Sequence, residues 1–148
     1  MTPERIVETY LSVQKVHDEY YKFGIRISWF VLETTLVSIL LRPSFDVTSV
    51  ILAGMTLLTL IMSLSIRHAN KEQYKKIHSV SSSGFVMRCL QYKIIEGPIH
   101  KEDAENINQL KISAVKYLRL TRLDIIASMF SIVFCLAFLI VAIIQMLV

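Results

Sequence analysis

Two long stretches of the chain are apolar and carry no charge. The first covers residues 47–66, which is 20 residues, and the second covers residues 125–148, which is 24 residues. About 20 apolar residues in a helix are enough to span the hydrocarbon core of a bilayer. A soluble helical bundle would need a polar face on each helix, and neither stretch has one. The pattern therefore predicts two transmembrane helices.

A third apolar stretch, residues 27–41, is shorter, and its assignment depends on its neighbours. Glu33 lies inside it and Arg26 directly precedes it. Turn residues at positions 43–46 follow and lead into the span at 47–66. A short turn joins antiparallel neighbours, so we expect residues 27–41 to cross the membrane as well. Residues 27–66 would then form a two-span transmembrane hairpin.

The polar segments have the spacing of helices that face other helices. Apolar and small residues recur at intervals of three and four along residues 1–26 and again along 101–124. Either packing within one chain or contact with another subunit explains these seams, and both interpretations are open. The candidate residues for an oligomer seam are Ala104, Ile107, Leu110, Ala114 and Tyr117.

These patterns together predict an all-α membrane protein, a transmembrane hairpin plus a third C-terminal span with long cytoplasmic helical extensions. The segments are an N-terminal amphipathic cytoplasmic helix at 1–26, the hairpin at 27–66, a cytoplasmic helical pair at 67–124 and the third transmembrane helix at 125–148.

The distribution of basic residues predicts the orientation. Of the 16 Lys and Arg residues, four lie in residues 1–26 and eleven in residues 67–124. Because basic segments stay in the cytoplasm, the N-terminus is expected there and the C-terminus in the periplasm of a bacterial inner membrane. The net charge of +4 favours contact with anionic lipid headgroups. No aromatic-rich signature of nucleic-acid binding accompanies it, so the lipid bilayer is the expected partner.

The sequence motifs of enzymes and metal sites are missing. There is no glycine-rich phosphate loop. None of the histidines is three to five residues from another, so helical metal-ligand spacing is absent. His78 and Cys89 are eleven residues apart, about 16 Å on one helix, which is too far for a nucleophile and its base. We therefore expect no enzyme, no cofactor and no metal.

Small polar residues form stripes on two of the predicted spans. Such stripes allow helices to approach closely in lipid, and they can also line a pore. Both interpretations are open. The residues are Thr56, Thr59 and Ser63 on the second span and Ser128 and Ser131 on the third.

Glu33 is the strongest functional candidate, because an ionised carboxylate within a span must face protein or water. A protonated Glu33 could donate a hydrogen bond to a Thr or Ser of the neighbouring span. Alternatively, it could belong to a ring of carboxylates in an oligomeric pore, or titrate when a pore opens. Pairing with Arg26, two helical turns away, is a further alternative.

The stretch from His78 to Leu110, "HSVSSSGFVMRCLQYKIIEGPIHKEDAENINQL", follows the hairpin and resembles the corresponding part of SLATT domains. These are the SMODS- and SLOG-associating two-transmembrane effectors. The resemblance covers roughly residues 5–120. The third span and the lack of a fused sensor domain depart from the family pattern, which puts the mode of activation in doubt. The matching positions are His78, Ser82, Gly84, Leu90, Ile94, Glu102 and Asp103.

The resemblance implies a small membrane effector that forms a homo-oligomer and permeabilises the bacterial inner membrane in a defence system. It also implies a partner, which would be a separately encoded sensor or nucleotide-producing enzyme. Two alternatives share the size and layout of this chain. One is an immunity protein or accessory subunit that binds a toxin or a larger membrane complex, and the other is a holin-like phage protein.

Overall fold

The computed structural model describes residues 3–41, 46–80 and 101–148, and these residues form three long α-helices. Helix α1 covers Pro3–Leu40, α2 covers Val47–Val80 and α3 covers Lys101–Leu147. They contain 38, 34 and 47 residues. Residues 42–45 and 81–100 lie outside the described residues, and the second range contains Ser82, Gly84, Leu90 and Ile94 of the SLATT resemblance.

Asp46 explains where α2 begins. Its Oδ1 accepts a hydrogen bond from the backbone N–H of Ser49 at 3.1 Å, and the Ser49 hydroxyl donates to the same oxygen. A carboxylate at this position satisfies a backbone donor that the helix itself leaves unpaired, and its charge suits the helix N-terminus. Asp46 therefore caps the second helix of the predicted hairpin.

Buried positions follow a heptad rhythm along the helices. Along α3 the buried residues are separated by alternating steps of four and three, with a mean of 3.5 residues, which is the repeat of helices packed side by side in a left-handed coil. Small and polar side chains occupy many of these positions. The buried residues of this α3 seam are Leu110, Ala114, Tyr117, Thr121, Asp124, Ser128, Ser131, Cys135, Phe138 and Ala142.

The chain divides into two compact units. The first unit comprises Met1–Tyr20 and His68–Thr121, and the second comprises Tyr21–Arg67 and Arg122–Val148. In the first unit, Val13, Ile77 and Tyr117 are buried together with Leu110 and Ala114. This core combines all three helices. Val16 and Tyr74 pack against it.

The second unit has a small core and a large apolar surface. Val31, Leu60 and Cys135 form the core, with Ile27 and Ile132 packed against it. Large apolar side chains elsewhere in this unit are exposed, which is the arrangement expected of helices surrounded by lipid. The exposed residues include Leu36, Leu57, Leu58, Phe130, Val133 and Ile140.

The described chain confirms an all-helical fold with three helices long and apolar enough to cross a membrane. These are Leu11–Leu40, Val47–Ser79 and Ala104–Leu147. Their length and composition indicate a membrane location. The cytoplasmic placement of the helical extensions and the orientation of the termini stay predictions.

Candidate functional site

A buried ion pair lies at the centre of a polar cluster in the second unit. The Nε of Arg67 donates to Oδ2 of Asp124 at 3.3 Å, and the exposed fractions of the two side chains are 10% and 1%. Arg67 follows the charge-free residues 47–66 directly, and Asp124 directly precedes residues 125–148. The two ends of the apolar runs are thus joined by opposite charges.

Three serine hydroxyls complete the cluster. Arg67 Nη1 donates to Ser28 Oγ at 3.0 Å, and Nη2 donates to Ser63 Oγ at 3.2 Å. The second carboxylate oxygen of Asp124 accepts hydrogen bonds from Ser63 and from Ser128. One helix contributes Ser28, the second Ser63 and Arg67, and the third Asp124 and Ser128. The cluster therefore ties all three helices of the unit together.

Gly24 provides the space that the guanidinium occupies. A Cβ at this position would lie 2.8 Å from both Cζ and Nε of Arg67. Real Cβ atoms do not approach other heavy atoms so closely, so a side chain at position 24 would displace the guanidinium. Gly54 differs, since a Cβ there would meet nothing within 4 Å.

The ion pair contributes more to the specificity of the helix arrangement than to the free energy of folding. Desolvation of two charges offsets most of their attraction, so a buried pair contributes little net free energy of folding. Loss of one partner, however, leaves an uncompensated buried charge and costs about 3–5 kcal/mol. Arrangements of the three helices that separate Arg67 from Asp124 are penalised accordingly.

In contrast to the buried ion pair, Glu33 lies on an exposed apolar surface. Its side chain is exposed on α1, among exposed Leu32, Leu36 and Val37. It makes no hydrogen bond or ion pair with any residue that the structure describes. Neither a Thr or Ser of a neighbouring helix nor Arg26 is its partner within those residues.

Four of the five small polar candidates are buried instead, and Thr59 is half-buried. Thr56 is buried and donates to the backbone carbonyl of Leu52 at 2.8 Å. Thr59 donates to the carbonyl of Met55 at 2.8 Å, and Ser63 and Ser128 belong to the ion-pair cluster. The Oγ of Ser131 is buried with no partner among the described residues. These contacts lie within the helices or within the second unit, as expected of packing residues.

The predicted oligomer seam is largely covered by the first unit itself. Leu110, Ala114 and Tyr117 are buried against Val13 and Ile77. Ala104 is exposed, and the side chain of Ile107 lies outside the described residues. For the three buried residues, packing within the chain is the interpretation that suits the geometry.

An aromatic stack forms the polar part of the first unit. The rings of His17 and Tyr74 are stacked with centroids 3.6 Å apart, and Nδ1 of His17 is 3.0 Å from the hydroxyl of Tyr117. Burial lowers the pKa of His17 below its ordinary 6.5, and the neighbouring Asp18 carboxylate opposes that shift in part. Burial also raises the pKa of Tyr117 above its usual range. Both groups are therefore held neutral.

Sequence reasoning missed the Arg67–Asp124 pair and its contact with Ser28. A signal was present, because Arg67 lies four residues after Ser63 and Asp124 four residues before Ser128. These residues share the faces that carry the small-residue stripes. Charged residues at the ends of apolar runs are also typical of interfacial anchors, so their spacing alone does not distinguish a buried pair from two anchors.

No model of a known family, no curated protein and no solved structure matches the chain. Within the described residues, no group of three or more His, Cys, Asp or Glu side chains could hold a metal ion.

Proposed function

We propose that copies of this chain assemble side by side in a membrane, with Glu33 of each copy facing a shared water-filled path, and that the assembly conducts cations. The observation that carries the proposal is the exposure of Glu33 on an apolar surface of α1. A charged side chain at the centre of a span costs about 2.5–3.5 kcal/mol on insertion scales. An interface or a lumen removes most of that cost.

Glu33 lies too far from either end of the predicted span for its carboxylate to reach the lipid headgroups. Glu33 lies seven residues after Arg26 and seven before the end of α1 at Leu40, which is about 10 Å of helix in each direction. A ring of Glu33 carboxylates around a common axis would attract cations, as rings of Asp and Glu do in cation channels. In this proposal, the exposed Glu33 carboxylate accounts for both homo-oligomerisation and ion conduction.

The resemblance to SLATT domains supports a role in bacterial defence. Under it, the chain is an effector of the bacterial inner membrane that permeabilises the membrane in an abortive-infection type of defence. A separately encoded sensor or nucleotide-producing enzyme would trigger it. The N-terminus and the first unit lie in the cytoplasm in this proposal, where such a trigger acts.

The exposed Glu33 also suits a second candidate function, that of an immunity protein or accessory subunit. In that case a larger membrane protein or a toxin covers Glu33 in place of another copy. Expression of the chain alone distinguishes the two. Growth arrest with depolarisation supports the effector, and harmless expression that protects against a toxin supports the alternative.

Ion flux through liposomes tests the role of Glu33. Glu33→Gln keeps the shape of the side chain and removes its charge, so we expect normal assembly but loss of cation selectivity. Glu8→Gln removes an exposed carboxylate elsewhere on the same helix and serves as the matched control. The proteins are compared at equal oligomer content. Equal flux and equal selectivity of Glu33→Gln and wild type would exclude the pore-lining role.

A further inference from the structure

In the second unit, the buried ion-pair cluster joins α2 to α3 through charged groups. Arg67 and Ser63 of α2 both bond to the Asp124 carboxylate of α3. The hydroxyls of Ser63 and Ser128 are also 3.0 Å apart. Hydrogen bonds with an ionised partner are stronger than those between neutral groups. Separating α2 from α3 at this level therefore costs more than the loss of an ordinary hydrogen bond.

A second polar contact joins the same two helices near their other ends in this unit. Nε2 of Gln145 in α3 donates to Oδ2 of Asp46, the cap of α2, at 3.0 Å. Asp46 and Gln145 lie 21 residues from Arg67 and Asp124 respectively, which is about 30 Å of helix. With polar contacts at both levels, α2 and α3 are held as a pair in one register.

Helix α1 joins this pair through a neutral group. The hydroxyl of Ser28 accepts a hydrogen bond from Nη1 of Arg67 at 3.0 Å. Further along α1, the hydroxyls of Thr35 and Ser38 each donate at 2.7 Å to backbone carbonyls of α1 itself. The hydrogen bonds of those two side chains lie within α1 and do not tie it to α2 or α3.

The apolar contacts of α1 resist displacement only weakly in a bilayer. Val31 packs against Leu60 and Cys135, and elsewhere α1 exposes large apolar side chains such as Phe30 and Leu36. Acyl chains are as apolar as these side chains, so exchanging one neighbour for the other changes the free energy little. Polar contacts therefore decide which helix of this unit moves.

Gly24 leaves room for a displacement of α1. The guanidinium of Arg67 lies so close to α1 that a Cβ at position 24 would be 2.8 Å from its Cζ. Because glycine has no side chain, the surface of α1 there is backbone alone, and nothing on it interlocks with the guanidinium when the helix turns. Arg67 can then keep its bond to Asp124 while α1 moves.

We infer that α1 is the moving helix of the second unit, whereas α2 and α3 stay together as a pair. A displacement of α1 against this pair re-aims Glu33 in the shared path and opens that path to cations. The inference rests on the proposed function and adds its regulation. The arrangement in which Ser28 is bonded to Arg67 is the resting one, because each nitrogen of the guanidinium has an acceptor in it.

Disulfide crosslinks to one native thiol test this division between the helices. Cys135 of α3 packs in one core with Val31 of α1 and Leu60 of α2. Val31→Cys and Leu60→Cys are made separately in a Cys89→Ser background, reconstituted in liposomes and oxidised with copper phenanthroline. Cation flux is measured at equal disulfide yield and equal oligomer content, before and after reduction with dithiothreitol.

The two crosslinks should differ in their effect on cation flux. Locking α1 to α3 through position 31 should lower the flux by about tenfold or more, and reduction should restore it. Locking α2 to α3 through position 60 should change the flux by less than about twofold, since those helices stay together as a pair. If Val31→Cys does not fold, Ile27→Cys, which packs against the same core, takes its place.

Two serine-to-alanine variants on α1 add a matched comparison. Ser28→Ala removes the hydroxyl that bonds to Arg67, so the resting arrangement loses stability and the flux should rise by about tenfold. Ser38→Ala removes a hydroxyl that bonds within α1 and should leave the flux unchanged. Equal flux of the two variants would contradict the role of the Ser28 bond.

The outcomes separate this inference from the proposed function. Flux that stays equal after the crosslink at position 31, or that falls equally with both crosslinks, overturns the moving-helix inference alone. A wild-type protein without cation flux at the same oligomer content overturns the proposed function and this inference together.

Discussion

At the scale of single residues, the buried Arg67–Asp124 pair restricts the arrangement of the helices most strongly. Asp124 is almost fully buried, and its two oxygens accept bonds from Arg67 and from two serines. Neither charge can be removed alone without leaving the other in an apolar environment. The pair is thus expected to behave as one unit in mutagenesis.

Asp124→Asn should lower the free energy of unfolding by about 3–5 kcal/mol, because it leaves the buried Arg67 guanidinium without its counter-charge. The double variant Arg67→Met with Asp124→Leu should recover most of that loss, since buried ion pairs are commonly replaced by apolar residues at little cost. Unfolding in mild detergent, followed by circular dichroism, measures both. A double variant no more stable than Asp124→Asn would contradict the account.

Gly24→Ala tests the space beside the guanidinium. The new Cβ would lie 2.8 Å from Arg67, so we expect a loss of about 1–3 kcal/mol in unfolding free energy. The loss should disappear in an Arg67→Ala background, where nothing remains to be displaced. Gly54→Ala is the control. It meets open space and should be neutral or stabilising by up to about 1 kcal/mol.

At the scale of elements, the three helices meet in the first unit around the stack of His17, Tyr74 and Tyr117. The titratable groups beside His17 are Tyr74 of α2, Tyr117 of α3 and Asp18 of its own helix. His78 of α2 stacks on Tyr74. A neutral His17 ring fits this packing. Because the pKa of His17 is lowered, the stability of the packing depends on pH.

The stability of the first unit should therefore fall in mild acid. The folded-state pKa of His17 lies below 6.5, so the unfolded chain takes up the proton first as pH falls. The stabilising contribution is complete above pH 6.5 and is lost as pH falls toward the folded-state pKa. Urea unfolding at pH 8 and pH 5.5 measures the effect. The His17→Gln variant, which cannot titrate, should show a smaller difference between the two pH values.

At the scale of the whole molecule, the charge distribution predicts a single orientation in the membrane. Reporters active only in the periplasm should work when inserted at Ser44 or fused after Val148, and fail at Ser82. The reason is that eleven of the 16 basic residues lie between residues 67 and 124. A cytoplasm-specific reporter at the same three positions is the control and should give the opposite result. Activity of the periplasmic reporter at Ser82 would refute this topology.

Much of the fold was accessible from the sequence. The charge-free runs at 47–66 and 125–148 identify two spans by length alone, and the three-four spacing through Val13, Tyr117 and Cys135 identifies the faces that are buried. Both signals are local, because helix rise and helix period act along one segment. Glu33 stands out for the same reason, as a charge inside an apolar stretch.

The tertiary structure decided which of these faces meet and which stay open. It placed Ser63 and Ser128 beside a buried ion pair, covered Tyr117 with the first unit's own residues and left Glu33 exposed on α1. The sequence alone could not make these distinctions, since a seam that packs within a chain has the same period as one that packs between chains. Only the three-dimensional pairing of helices determines whether a polar residue faces its own chain or a neighbour.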